Sequence, residues 1–218
     1  MSSKFIIIRV LLFVLLVVGT TSAMIAQDND FTTWTKFKVN HKIDSRFAVS
    51  GDLELRTEDD MSAIDRWGIS VGGDYRAFSF LKFEIDYETH YRNLGEIGWK
   101  FRHRYRIGAT ASFRYQWLKM SLRERFQQTF DRGESETRLR SRLKLGYAPQ
   151  KGIVSPYFSI EIYQSLDDAS FWRTARLRYR PGIEIDLTKR WSLDAFYCYQ
   201  YESSRGKHIA GVEVGYSF

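Results

Sequence analysis

From residue 34 onward, apolar and polar side chains alternate in short runs. The run 81–92 does so without a break: Leu81, Phe83, Ile85, Tyr87 and Tyr91 alternate with Lys82, Glu84, Asp86, Glu88, His90 and Arg92. A period of two is that of a β-strand with one oily and one wet face. Eleven such segments follow one another, at 34–43, 47–56, 66–76, 81–92, 99–111, 117–130, 137–147, 154–164, 173–187, 191–202 and 208–218. In the last, HIAGVEVGYSF, the residues Ala210, Val212, Val214, Tyr216 and Phe218 form the apolar face, and only Ile209 interrupts the small and polar one. Glu124 falls on the apolar face between Leu122 and Phe126, which marks a bulge or a misplaced boundary.

The spacing of these segments points to a membrane. Short connectors (44–46 and 188–190) alternate for the most part with longer polar ones (57–65, 131–136 and 166–172), as periplasmic turns and external loops do. Trp67, Trp99, Trp117, Tyr147, Trp191 and Phe218 stand at segment ends, where an amphipathic ring can lie in a bilayer interface. The prediction is an all-β, antiparallel, up-and-down transmembrane barrel of ten to twelve strands, formed by residues 24–218 as one domain. Eleven breaks the usual even count of bacterial barrels. Twelve is preferred, with 28–33 as an extra crossing, and a ten-strand barrel with its first segment inside stays open. The competing architecture is a soluble sandwich or lipocalin-like barrel whose apolar face points inward.

Composition fits this picture. A charged fraction of 27% and a mean hydropathy of −0.38 exclude a helical membrane protein but not a barrel, in which alternation averages the two faces. The N-terminus is a separate unit. Lys4 and Arg9 accompany an apolar run over 5–18, followed by Gly19-Thr20-Thr21-Ser22-Ala23. This reads as a secretory signal peptide over 1–23, with an alternative end at 26, since a spanning helix needs about 20 apolar residues. The single Cys198 excludes an intramolecular disulfide and serves as small interior filler.

The terminal aromatic strand resembles that of bacterial outer-membrane β-barrels, whose last strand commonly ends in Phe. The start Asp30-Phe31-Thr32-Thr33-Trp34, the repeated short hairpins and the terminal Tyr-Ser-Phe together resemble the family of small outer-membrane barrels known as domain of unknown function 2490. The resemblance spans nearly the whole mature chain and implies a barrel in the outer membrane of a Gram-negative bacterium. It implies outer-membrane lipids around the barrel, recognition of the Phe218 strand by the barrel-assembly machinery, and a periplasmic C-terminus. It carries no catalytic residue.

With the polar faces turned inward, the charges sort. Segments 99–111, 117–130 and 137–147 supply Lys100, Arg102, Arg104, Arg106, Lys119, Arg123, Arg125, Arg138, Arg140, Arg142 and Lys144, and no acid on the same face. The acids sit elsewhere, at Glu84, Asp86, Glu88, Glu161, Glu184, Asp186, Asp194, Glu202 and Glu213. Such a wall is neutralised across the lumen, by water or by anions. One reading is a salt-bridge lattice filling a narrow barrel, with at most a small anion-biased conductance. The other is a constricted anion path or a small-anion site on Arg102, Arg104, Arg106, Arg123, Arg125, Arg138, Arg140 and Arg142, whose planar forks grip phosphate or carboxylate. A lipid hydrolase or deacylase built on His90 and Glu88 with a nearby serine is an alternative, as is a soluble periplasmic barrel binding an anionic or lipid ligand. His41, His103 and His208 fall on the apolar face. No spacing calls for a metal or another cofactor. The net charge of +7 does not argue for nucleic acid, because the basic residues alternate with apolar ones and secretion separates the chain from it.

Overall fold

The computed structural model describes residues 30–147, 149, 152–167, 171–202 and 205–218. The expected signal peptide, at 1–23 or 1–26, lies outside them. Among the described residues eleven strands form one closed barrel: β1 (Asp30–Lys42), β2 (Phe47–Glu58), β3 (Ala63–Arg76), β4 (Leu81–Asn93), β5 (Trp99–Tyr115), β6 (Leu118–Asp131), β7 (Glu134–Tyr147), β8 (Val154–Ser165), β9 (Thr174–Asp186), β10 (Trp191–Glu202) and β11 (Arg205–Ser217).

Each strand pairs antiparallel with its sequence neighbours, and the barrel closes between β1 and β11. An odd count makes those two run the same way, so the closing pair is parallel, from Asp30 opposite Lys207 to Asn40 opposite Ser217. This replaces the fully antiparallel closure and the extra crossing at 28–33. Residues 30–33 instead begin β1, because β11 offers their backbone a ladder. Thr32, only 2% exposed, continues the inward face of Trp34, and Lys207 Nζ reaches Asp30 Oδ2 at 2.5 Å. The first strand therefore starts at the rim opposite the one where Phe218 ends.

Two of the three longer connectors are shorter than their polarity predicts. β2 runs to Glu58 and β3 starts at Ala63, so most of 57–65 is strand, with a register shift between Arg56 and Thr57. Of 131–136 only Arg132 and Gly133 lie between β6 and β7, both with positive φ (49° and 95°), as a two-residue hairpin demands. Polar side chains do not end a strand whose backbone still finds partners. In the β1–β2 turn, the Asp44 carboxylate accepts the N–H groups of Arg46 (2.6 Å) and Phe47 (2.8 Å). Those bonds hold its pKa below the ordinary aspartate value.

The alternation sets inside from outside. Leu53, Val71 and Ile85 are 55–60% exposed on the outer surface, while Glu88, Glu161 and Arg178 are 5–7% exposed inside. A soluble barrel does the reverse. Outward aromatics gather towards both rims. Trp67, Tyr91 and Phe101 follow one another at 5.1 and 5.3 Å near the rim where β1 starts. Near the other, Trp117 meets Tyr147 at 5.9 Å, and Tyr216 lies between Trp191 (4.9 Å) and Phe218 (5.8 Å). Trp99 is outward and 46% exposed. The small apolar core lies inside the lumen, where Phe196, Cys198 and Ile209 pack together with Trp34 against them.

Candidate functional site

The inward faces enclose a cavity of about 940 Å³. Cationic side chains outnumber acidic ones along its lining by nineteen to thirteen. The sequence leaves the wall to be neutralised across the lumen, by water or by anions. Most of its cations are compensated sideways, by acids one or two strands away, while Arg138 pairs with Glu136 on its own strand and lies near Glu202 three strands away.

Arg102 bonds Asp131 at its hairpin (2.6 Å), while Arg104 meets Glu88 (3.2 Å) and donates from Nε to Thr129 Oγ1 (2.8 Å). Arg106 pairs with Asp86 and with Glu88, the latter at 3.1 Å. Arg125 on β6 reaches Glu84 on β4, its Nε donating at 2.8 Å, over the intervening β5. That reach depends on Gly108, since a Cβ there would stand 3.2 Å from Glu84 Oε1 and 2.8 Å from the Glu124 carbonyl. Tyr157 on β8 crosses β9 in the same manner, lying over Gly182 so that its hydroxyl donates to Asp194 on β10 (2.8 Å). Lys144 of β7 likewise meets Glu184 of β9 at 2.5 Å.

Two buried glutamates act as hubs. Glu88 lies 3.8 Å from Arg66, 3.2 Å from Arg104 and 3.1 Å from Arg106. Glu161 takes Arg140 at 2.7 Å and both Arg123 and Arg178 at 3.4 Å, and accepts the Tyr163 hydroxyl at 3.0 Å. Arg138 pairs with Glu136 and lies 3.8 Å from Glu202. Of the eight arginines singled out from sequence, seven thus touch a carboxylate. Arg142 touches none among the described residues, and its Nε is buried without a hydrogen-bond partner.

Four aromatic side chains, Trp34, Tyr157, Tyr163 and Phe196, complete the wall. The Trp34 ring carries the guanidinium of Arg56 at 3.8 Å and that of Arg178 at 4.7 Å. Arg180 lies 3.4 Å over the Phe196 ring, and Arg140, Arg176 and Arg178 surround Tyr163 at about 5 Å. Guanidinium–ring contacts of this kind hold the arginines extended along the wall. The signal for Trp34 was its parity with Lys36 and Lys38 on the polar face.

The remaining candidates resolve as follows. His90 is buried, with Nδ1 3.1 Å from Glu88 Oε1, and no serine hydroxyl is hydrogen-bonded to it among the described residues. His41, His103 and His208 lie among outward aromatics, 4.7 Å from Phe218, 4.9 Å from Phe130 and 5.3 Å from Tyr199. Glu124 sits at neither a bulge nor a boundary: the ladder runs through it unbroken between Ala109 and Ser141, and its carboxylate accepts the Ser141 hydroxyl at 2.6 Å. Among the described residues no group of three or more His, Cys, Asp or Glu could hold a metal ion.

Among solved structures, the chain is similar to the translocator domain of the autotransporter NalP from Neisseria meningitidis. The TM-score is 0.47 at 16% identity, over 78% of this chain and 73% of that one. It is also similar to the KdgM porin, with a TM-score of 0.46 at 12% identity, over 78% of this chain and 83% of that one. No curated protein matches it. The family model described as "Protein of unknown function (DUF2490)" matches residues 31–209, across all eleven strands as far as the middle of the last. The chain belongs to the DUF2490 family.

Proposed function

We propose that the chain is an integral outer-membrane β-barrel whose narrow, charge-filled lumen passes at most a small, anion-biased current. The observation that carries this reading is the inverted surface. Isoleucine, leucine, valine and aromatic side chains face outward over the whole girth, while arginines and glutamates face inward. In water the outer face would be an adhesive apolar patch far beyond what a soluble monomer tolerates. In a bilayer it meets lipid, and barrel closure leaves no strand edge unpaired. Trp67, Trp99, Trp117, Tyr147, Trp191 and Phe218 are then the interface girdle, in contact with outer-membrane lipids.

Size and charge argue for the conductance. Barrels of about eight strands are filled by side chains and those of about sixteen to eighteen hold an open aqueous channel, so eleven strands with a crowded interior give a constriction. The cation excess of the lining draws anions into what space remains. Export follows from the leader at 1–23, and assembly from recognition of the strand ending at Phe218 by the barrel-assembly machinery. With Phe218 on the periplasmic side, β1 starts at the outer rim.

Cell fractionation tests the location. The protein is expected in the outer-membrane fraction, released only by detergent, and running faster on a gel when unheated than when boiled. Recovery in the soluble periplasmic fraction without detergent supports the soluble alternative instead.

A further inference from the structure

We infer that Arg123 and Arg142 form an oxyanion-binding site in the lumen wall. This deepens the proposed anion bias of the lumen, and rests on that reading only for access to the ligand. The two residues face each other across the β6–β7 ladder. Like charges in direct cross-strand register repel, and both side chains are only partly open to the lumen. Both Nε groups are shut off from solvent and lack a hydrogen-bond partner.

The nearest acid does not resolve this. Glu161 is the register partner of Arg142 on β8, yet its carboxylate is turned to other groups. Arg140 lies against both its oxygens, with Nε 2.7 Å from Oε1 in an ion pair and Nη2 donating to Oε2 at 2.8 Å. Tyr163 donates to Oε2 at 3.0 Å and Arg178 lies 3.4 Å from it, which leaves Arg123 a 3.4 Å contact and Arg142 no carboxylate within 4 Å among the described residues. One carboxylate thus serves three guanidinium groups while a fourth stands beside them. The arrangement lacks a negative charge with several acceptor oxygens.

A tetrahedral phosphate or a planar carboxylate supplies one. Each can take parallel N–H bonds from a guanidinium fork, and two forks side by side can hold separate oxygens of one group. Arg123 and Arg142 both line the cavity, as does Thr110, the register partner of Arg123 on β5, so an ion entering the lumen reaches them. The acid-rich wall of β4 has no comparable place, since each of its glutamates and aspartates already faces arginine or lysine.

The test is calorimetric titration of the full barrel in detergent with inorganic phosphate and, separately, with acetate. Wild type, Arg142→Gln, Arg123→Gln and Arg92→Gln are compared, each confirmed folded by its heat-modifiable migration. Arg92 is a rim residue, 43% exposed and paired with Asp65, and serves as the control. We expect saturable binding of at least one anion, weakened about tenfold or more in both Arg142→Gln and Arg123→Gln, as the loss of a charge-assisted hydrogen bond implies, and changed by less than about twofold in Arg92→Gln. Tighter phosphate binding assigns a phosphoryl ligand, and tighter acetate binding a carboxylate. Absence of saturable binding to wild type, or equal binding by wild type and Arg142→Gln, overturns the site. A barrel that fractionates with the outer membrane yet shows either result leaves the proposed function standing and removes this inference alone.

Discussion

The two glutamate hubs share a design and differ in how much they alone support. Around Glu88, on the β3–β5 side, the arginines have other acids: Arg66 also reaches Glu54 at 2.5 Å, and Arg106 also pairs with Asp86. Only Arg104 relies on Glu88 as its acid, and it keeps Thr129. Around Glu161, on the β6–β9 side, neither Arg123 nor Arg140 has a second carboxylate within 4 Å among the described residues, and Arg178 falls back on Gln200 and Tyr163. One half of the wall is a redundant lattice. In the other, Glu161 alone serves three arginines with a fourth beside them, so the first reads as scaffold and the second as the place where charge is left for something else.

That contrast is most exposed by removing each hub. Glu161→Gln orphans several buried guanidinium groups at once and should lower unfolding stability by about 3–5 kcal/mol, the usual cost of breaking a buried pair. Glu88→Gln orphans one and should cost about 1–3 kcal/mol. Urea unfolding of the two variants in the same detergent measures both. Equal losses, or a larger one for Glu88→Gln, would break the comparison.

The glycine crossings give a smaller effect that sharpens it. Gly108→Ala places a methyl against Glu84 and the Glu124 carbonyl, in the path of the Arg125–Glu84 bond, and should cost about 1–3 kcal/mol as overpacking does. Gly73→Ala is the control, because the nearest atom to its Cβ is 3.9 Å away. Its cost should stay within about 0.5 kcal/mol. If the two behave alike, the space over β5 is not what lets Glu84 and Arg125 meet.

Much of this was readable before the fold was known, and the gaps have physical causes. Alternation fixes which face a side chain occupies, so the inward arginines, the outward tryptophans and even the inward Trp34 follow from parity alone. Eleven segments taken at face value require a parallel closure of β1 on β11, but alternation does not say whether a twelfth crossing precedes them, so the preference for an even count hid it. Polarity was mistaken for a loop at 57–65 and 131–136, because a strand continues past its apolar belt wherever its backbone is paired. The partners of the arginines were hidden for another reason. They depend on how far a side chain leans over its neighbour strand, which is settled by a residue such as Gly108 that shows only as a missing side chain in the pattern.

The smallest effect lies outside the barrel wall, in the β1–β2 turn. Asp44 accepts two backbone N–H bonds there, and its pKa in the folded state lies below the unfolded one. Its contribution is present above the unfolded value of about 3.9 and disappears as the pH falls through the lower folded value. Asp44→Ala should therefore be slightly less stable than wild type at neutral pH, with the gap closing towards strongly acidic pH. A gap that widens on acidification would contradict the sign.

The measurement that bears most directly on the account is the reversal potential of the protein in a planar bilayer under a potassium chloride gradient. The uneven charge of the two halves predicts a small conductance biased towards chloride, and a bias that falls clearly in the double variant Arg123→Glu, Arg142→Glu, which narrows the cation excess of the lining. A current that favours potassium in the wild type, one whose selectivity the double variant leaves untouched, or a conductance as large as that of a sixteen-strand porin would contradict it.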